Sequence, residues 1–236
     1  VKFAMPPQIS LKRMPAPIER LELSRDERSL AHMLASLLLD YPDAAYLERL
    51  PELASSVDEL PGPIAAPFRS FIAHAMSEQE RLAPAYVTTF DLKRKSCLYL
   101  TYFAAGDTRR RGTALVTFLE AYRAAGWEFE ADELPDYLPA VLEFSAVTDS
   151  PVAARLLAAH RDGIEVLRAA LLAQSSPWAS LVEAVCLSLP EIDDDTRERY
   201  LALINDGPPT ETVGISFLGQ LEPFSAGGGA SREVRV

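Results

Sequence analysis

The feature that most restricts this chain is the recurrence of apolar residues at helical spacing, punctuated again and again by proline. Leu30, Met33, Leu34, Leu37 and Leu38 fall on one helix face. So do Phe68, Phe71, Ile72, Ala75 and Met76, and further on Ala114, Leu115, Phe118, Leu119 and Tyr122. A helix with one apolar stripe must bury it against another such stripe. No alternating strand series and no fixed-period repeat accompanies these stripes. The pattern predicts an all-α, single-domain helical bundle of about eight helices.

Punctuation sets the expected boundaries. Ser24 or Asp26 can cap a first helix, and Pro42 should stop it near Asp40 by forcing Tyr41 out of helical geometry. A second helix covers Ala44 to Leu60, with Pro51 expected to break or kink it. Pro61, Gly62 and Pro63 make a turn before the stripe from Ile64 to Leu82. Tyr86 to Ala105 is strongly apolar and aromatic. Propensity alone allows a strand over Cys97 to Phe103, but the helical neighbours favour buried helix. Gly106 should end that element and Asp107 cap the next, which Gly126 closes. Residues 134–139 lead into a short helix through Phe144. Pro151 to Gln174 reads as one amphipathic helix. Ser176 with Pro177 reads as a cap with proline at the first helical position, opening residues 177–189. A last helix is expected at about 196–205. Residues 1–23, with four prolines by sequence, read as a flexible arm; residues 24–206 as the helical domain; residues 207–236, with Gly227, Gly228 and Gly229, as a flexible tail.

Composition narrows the function. The formal net charge is −11. A nucleic-acid binder needs clustered Lys and Arg, so that class is disfavoured, and a basic partner segment is favoured. Cys97 and Cys186 each lie in an apolar run and read as buried free thiols. No uninterrupted apolar stretch approaches the length of a membrane span, and residues 1–17 lack the apolar core of a signal peptide. These readings place the protein in the cytoplasm with no direct membrane insertion.

Catalytic signatures are missing from the sequence. It has no phosphate-binding glycine loop, no GxGxxG and no GxSxG elbow. His32, His74 and His160 sit on three different expected helices without ligand-spaced neighbours. Asp193, Asp194 and Asp195 lack the spaced ligands of a calcium loop and suit a helix N-terminus. The expectation is a protein that is not an enzyme and holds no cofactor or metal.

Two segments depart from plain helix-building. Gly106 to Gly112 (GDTRRRG) places three arginines in a first helical turn, against the dipole. Arg109 and Arg111 could pair with carboxylates such as Asp91 or Glu143, form a nucleotide or other anion site, or clamp a partner's carboxylate. Glu133 to Pro139 (ELPDYLP) is either helix punctuation with Asp136 as N-cap, or a rigid acidic ledge lined by aromatics beside a groove. The two can coexist.

Taken in order, Tyr86 to Asp91 (YVTTFD), Leu98 to Tyr102 (LYLTY), Gly106 to Gly112, Glu133 to Pro139 and Leu142 to Phe144 (LEF) resemble the nitrate reductase delta subunit family of NarJ-type molybdenum cofactor assembly chaperones. Leu37 to Pro42 (LLLDYP) resembles the end of that family's first helix. The resemblance implies the helical fold of the TorD and DmsD type of redox-enzyme maturation chaperones. It implies a partner, the N-terminal peptide of the nitrate reductase catalytic α subunit in its apo form. That subunit would be kept competent for insertion of the molybdenum cofactor, and the chaperone would leave before the enzyme is finished. The partner surface expected on this basis comprises Tyr86, Phe90, Asp91, Leu98, Tyr99, Tyr102, Phe103, Asp107, Arg109, Arg111, Pro135, Asp136, Tyr137, Pro139 and Glu143. A helix-in-groove mode would use its aromatics as trough walls and its charges for register.

Overall fold

The computed structural model describes residues 15, 18–93, 96–105, 109–130, 133–148, 150–190 and 194, with backbone alone at Ala104, Ala105, Arg109 and Arg110. Among these residues the chain adopts the expected all-α architecture. It forms α1 (Arg25–Leu39), α2 (Ala44–Val57), α3 (Gly62–Ser77), α4 (Gln79–Tyr86), α5 (Leu100–Ala105), α6 (Arg109–Ala124), α7 (Leu138–Val147), α8 (Pro151–Ala159), α9 (Arg161–Ala173) and α10 (Trp178–Ser188). The helix expected at about 196–205 and the tail lie outside the described residues.

α1 and α10 form the spine. α1 packs on α7, α10 and α2, and α10 packs on α3 and α9 as well. A capping box starts α1: Ser24 Oγ accepts the Glu27 N–H at 3.2 Å and Glu27 Oε2 accepts the Ser24 N–H at 2.7 Å. Its C-terminal carbonyls are closed by two tyrosines, Tyr46 donating to Leu38 at 3.0 Å and Tyr86 to Leu39 at 3.1 Å. α2 runs on through Pro51 without a break. α10 begins with Pro177 in the cap position and has no side-chain cap, so Ser176 does not play the expected role. Trp178, fully buried, meets Phe71, Tyr86 and Phe90 at ring distances of 5.5 to 5.8 Å.

The helix count rises above eight for identifiable reasons. The stripe from Pro151 to Gln174 splits at His160. There the backbone N–H turns to Leu157 O, and the ring Nδ1–H takes the Leu156 carbonyl at 2.9 Å, the acceptor that a continuing helix would have used. The buried helix expected from Tyr86 to Ala105 is also corrected. α4 contains Pro84, whose missing N–H weakens the ladder. Thr88 Oγ1 bonds the Pro84 carbonyl at 2.8 Å, and the backbone widens into a π-helical turn over Val87–Asp91. Of the described residues between that turn and Leu100, Lys93 and residues 97–99 are not helical. Among the described residues the one strand-like feature is an antiparallel bridge between Tyr99 and Tyr137.

Before α1, residues 18–23 run against α9 and α10. Leu21 N–H bonds Leu187 O at 2.9 Å, Ile18 N–H bonds Glu165 Oε1 at 3.1 Å, and Arg161 holds the Ile18 carbonyl.

Candidate partner-binding site

The two segments singled out in the sequence meet. Residues 98–100 and 136–138 exchange backbone hydrogen bonds, Leu100 N–H to Asp136 O at 3.0 Å and Leu138 N–H to Leu98 O at 2.8 Å. This short ladder brings Leu98, Tyr99, Pro135, Asp136 and Tyr137 into one ledge. It joins α5 to α7 although the two helices are separated by α6 in the chain.

Asp136 lies under the ledge with no solvent exposure. Its Oδ2 accepts the Thr101 N–H at 3.0 Å and the Thr101 hydroxyl at 2.5 Å. The carboxylate therefore caps α5 from a distance. The cap of α7, which the sequence reading gave to Asp136, falls to Tyr137 and has no side-chain hydrogen bond. Asp136 Oδ1 is buried without a hydrogen-bond partner.

Aromatic side chains cover the ledge. The Tyr99 and Tyr137 rings lie 5.5 Å apart, and the Tyr99 hydroxyl donates to Glu133 at 2.5 Å. Tyr137 and Tyr86 share a hydroxyl contact at 3.2 Å, and Tyr86 stacks on Phe90 at 4.7 Å. Burial, then its tyrosine and carboxylate neighbours, raise the Tyr86 phenol well above its ordinary value. Burial likewise pushes Tyr137 up to about 12, and Tyr99 is raised by burial and by Glu133. At neutral pH all three keep their protons and serve as donors.

Arg111 lies with its guanidinium carbon 5.4 Å from the Tyr99 ring centroid, while its Nε–H donates to Thr101 Oγ1 at 3.3 Å. It thus stacks on the ledge instead of forming the pair with Asp91 or Glu143 that the sequence allowed. Asp91 and Glu143 are both exposed. Asp107 and the side chain of Arg109 lie outside the described residues.

Other candidates separate from the ledge. Pro139 is buried and its carbonyl accepts the Ser36 hydroxyl of α1 at 2.8 Å. Phe103 packs beside Gly163 of α9, and the Tyr102 ring sits 6.1 Å from it. Sequence reasoning missed Thr101, Glu133 and Trp178 as contributors. Glu133 sat inside a flagged segment and could have been found there. Thr101 and Trp178 gain their roles only from tertiary contacts.

Comparison with known proteins decides the family. The family model described as nitrate reductase delta subunit matches residues 50–183. The chain belongs to this family. It is 30% identical over 175 residues to the probable nitrate reductase molybdenum cofactor assembly chaperone NarJ of Bacillus subtilis, covering 72% of this chain and 94% of that protein. The nitrate reductase molybdenum cofactor assembly chaperone NarJ of Escherichia coli is 30% identical over 175 residues, covering 72% of this chain and 74% of that one. The nitrate reductase-like protein NarX of Mycobacterium tuberculosis is 40% identical over 157 residues, 64% of this chain, but the match spans only 23% of NarX. The ledge segments and Arg111 all fall inside the matched family region. Among the described residues no helix is long and apolar enough to cross a membrane.

Proposed function

We propose that this protein is a cytoplasmic assembly chaperone, not an enzyme, for a molybdenum-containing nitrate reductase. It holds the N-terminal segment of the apo catalytic α subunit and keeps that subunit competent for cofactor insertion. The relatives' names as nitrate reductase molybdenum cofactor assembly chaperones support the first part.

The observation that carries the second part is the ledge itself. Tyr99, only partly buried, and the half-exposed Leu134 offer apolar surface. Arg111 and Glu133 flank Tyr99 with opposite charges, which would fix the register of an amphipathic segment. The acidic chain as a whole favours a basic partner segment. In this reading the molybdenum cofactor is cargo of the partner enzyme. The chaperone's own residues act by covering an unfinished segment.

Isothermal calorimetry with the N-terminal peptide of the cognate α subunit tests the proposal. Saturable binding is expected, weakened about tenfold in Tyr99→Ala, which removes a ring of the kind that dominates interface energetics. A scrambled peptide should not bind. Absence of heat with the cognate peptide, confirmed by failure to compete with the apo subunit, would overturn it.

A further inference from the structure

The aromatic surface of the ledge does not stop at Tyr137. Tyr86, which meets Tyr137 hydroxyl to hydroxyl at 3.2 Å, also packs nearly perpendicular to the Tyr41 ring at 5.6 Å. A run of rings therefore continues from Tyr99 to the end of α1. Tyr41 is 48% exposed, yet its backbone is fixed. Its N–H bonds Asp40 Oδ1 at 2.8 Å, its carbonyl accepts the Asp43 N–H at 2.9 Å, and buried Pro42 restricts it from the C-terminal side. An aromatic side chain placed before binding loses little entropy when a partner covers it.

The two ends of this run differ in charge. At the α6 end the rings already carry a cation: Arg111 lies 5.4 Å from the Tyr99 centroid and donates to Thr101. At the α1 end the exposed group next to the ring is a carboxylate, Asp40, the C-cap of α1. Its field reaches the ledge, since after burial Asp40, Glu133 and Asp91 each help to raise the Tyr137 phenol. Water solvates an exposed carboxylate, so Asp40 needs no partner for stability and acts only on what settles beside it. We propose that Tyr41 belongs to the partner surface and forms, with Asp40, a subsite for one Lys or Arg side chain of the bound segment. This rests on the reading of the ledge as the site for the α-subunit segment, and it gives that segment a direction, with a basic residue towards α1 and apolar residues on Tyr99. The basic side chain lays its stem and charge on the Tyr41 ring, as Arg111 does on Tyr99, and turns its head to Asp40. An acidic residue at that position would be repelled.

Calorimetry on the full chain with the N-terminal α-subunit peptide tests this through double-mutant cycles. Tyr41→Ala removes the ring, and Asp40→Asn removes the charge while keeping an acceptor for the Tyr41 N–H. Both positions are exposed, and both variants should retain the wild-type helical circular dichroism. In the peptide, each Lys and Arg is replaced in turn by Gln. Tyr41→Ala is expected to weaken binding about fivefold and Asp40→Asn about threefold. At one peptide position the Gln replacement should weaken binding to the wild-type chain about threefold and leave binding to Asp40→Asn unchanged, which identifies the residue in the subsite. Wild-type affinity in both protein variants, or the absence of such coupling at every peptide position, would overturn the subsite. Tyr99→Ala would still weaken binding in that case, and the ledge reading would stand. No binding of the cognate peptide to the wild-type chain would overturn the ledge reading and the subsite with it.

Discussion

Asp136 caps α5 from thirty-five positions beyond Thr101, accepting both the backbone N–H and the hydroxyl of that residue through a single oxygen. One residue therefore ties α5 to the entry of α7 and fixes the floor of the ledge. The same carboxylate has a second oxygen with no hydrogen-bond partner. This division sets up an unequal response to two substitutions.

Asp136→Ala removes both acceptor functions and leaves two buried donors without a partner. A loss of about 2 to 4 kcal/mol in unfolding free energy is expected. Asp136→Asn keeps an oxygen for Thr101 and places its amide where Oδ1 stands, so its cost should be less than half as large. Urea denaturation of the two variants checks this order. Equal losses would show that the negative charge, and not the acceptor, holds α5.

His32 makes stability depend on pH. Its ring is fully buried between Ser145 and Ser188, at 2.9 and 3.0 Å. Ser188 spends its own proton on Val185 O at 2.8 Å, so its oxygen accepts from His32 Nε2–H, and Nδ1 accepts from Ser145. That arrangement requires a neutral ring. Burial, then the charge of Arg28, lowers the His32 pKa to about 3. The folded value is depressed, so in acid the unfolded state binds a proton that the native state refuses. The stabilising contribution is complete above the unfolded value of about 6.5 and is lost as pH falls from there towards the folded value. His32→Gln should destabilise the protein at pH 7, and that deficit should shrink by about 1.4 kcal/mol for each pH unit between 6 and 4. Denaturation series of both proteins across that range provide the measurement, and parallel curves would exclude the linkage.

Glu165 anchors the segment that precedes α1. It is 5% exposed and meets Arg168 Nε at 2.7 Å, the Ile18 N–H at 3.1 Å and Arg161 at 3.6 Å. Removing one member of a buried ion pair typically costs about 3 to 5 kcal/mol. Glu165→Ala should fall in that range, and hydrogen exchange should show residues 18–23 deprotected while the amides of α1 and α7 stay protected. Unchanged exchange at 18–23 would mean that the contacts of Leu21 with Leu187 and of Arg161 with the Ile18 carbonyl hold the segment without Glu165.

The history of particular elements explains which parts of this fold were legible in sequence. α1 was readable because its signals are local: Ser24 and Glu27 three residues apart, a continuous stripe, and Pro42 beyond its end. The split at His160 was not, because apolar spacing continues across it and the decisive event is a side chain taking a backbone acceptor. The irregular stretch before α5 misled for the opposite reason. Its apolar content suits any buried segment, and only pairing with residues 136–138, a long-range contact, sets its geometry. The site divided in the same way. The two flagged segments do adjoin, but the partner of Arg111 and the helix that Asp136 caps depend on how α5, α6 and α7 come together.

Two helical glycines offer a controlled comparison that ends at the ledge. A Cβ at Gly112 in α6 would meet nothing within 4 Å, whereas one at Gly163 in α9 would stand 3.0 Å from Phe103 Cβ and 3.3 Å from its ring. Alanine in a helix interior is favoured over glycine by up to about 1 kcal/mol. Gly112→Ala should therefore stabilise the protein by that order and leave peptide binding unchanged. Gly163→Ala gains the same propensity but collides with an atom fixed to the α5 backbone, which no rotamer change can move away. A net loss of about 1 kcal/mol is expected, as for other overpacked sites. Because α5 starts at the ledge, its displacement should also weaken binding of the α-subunit peptide. Thermal unfolding and calorimetry on the two variants measure both effects, and a Gly163→Ala protein as stable as Gly112→Ala would show that α5 shifts at no cost.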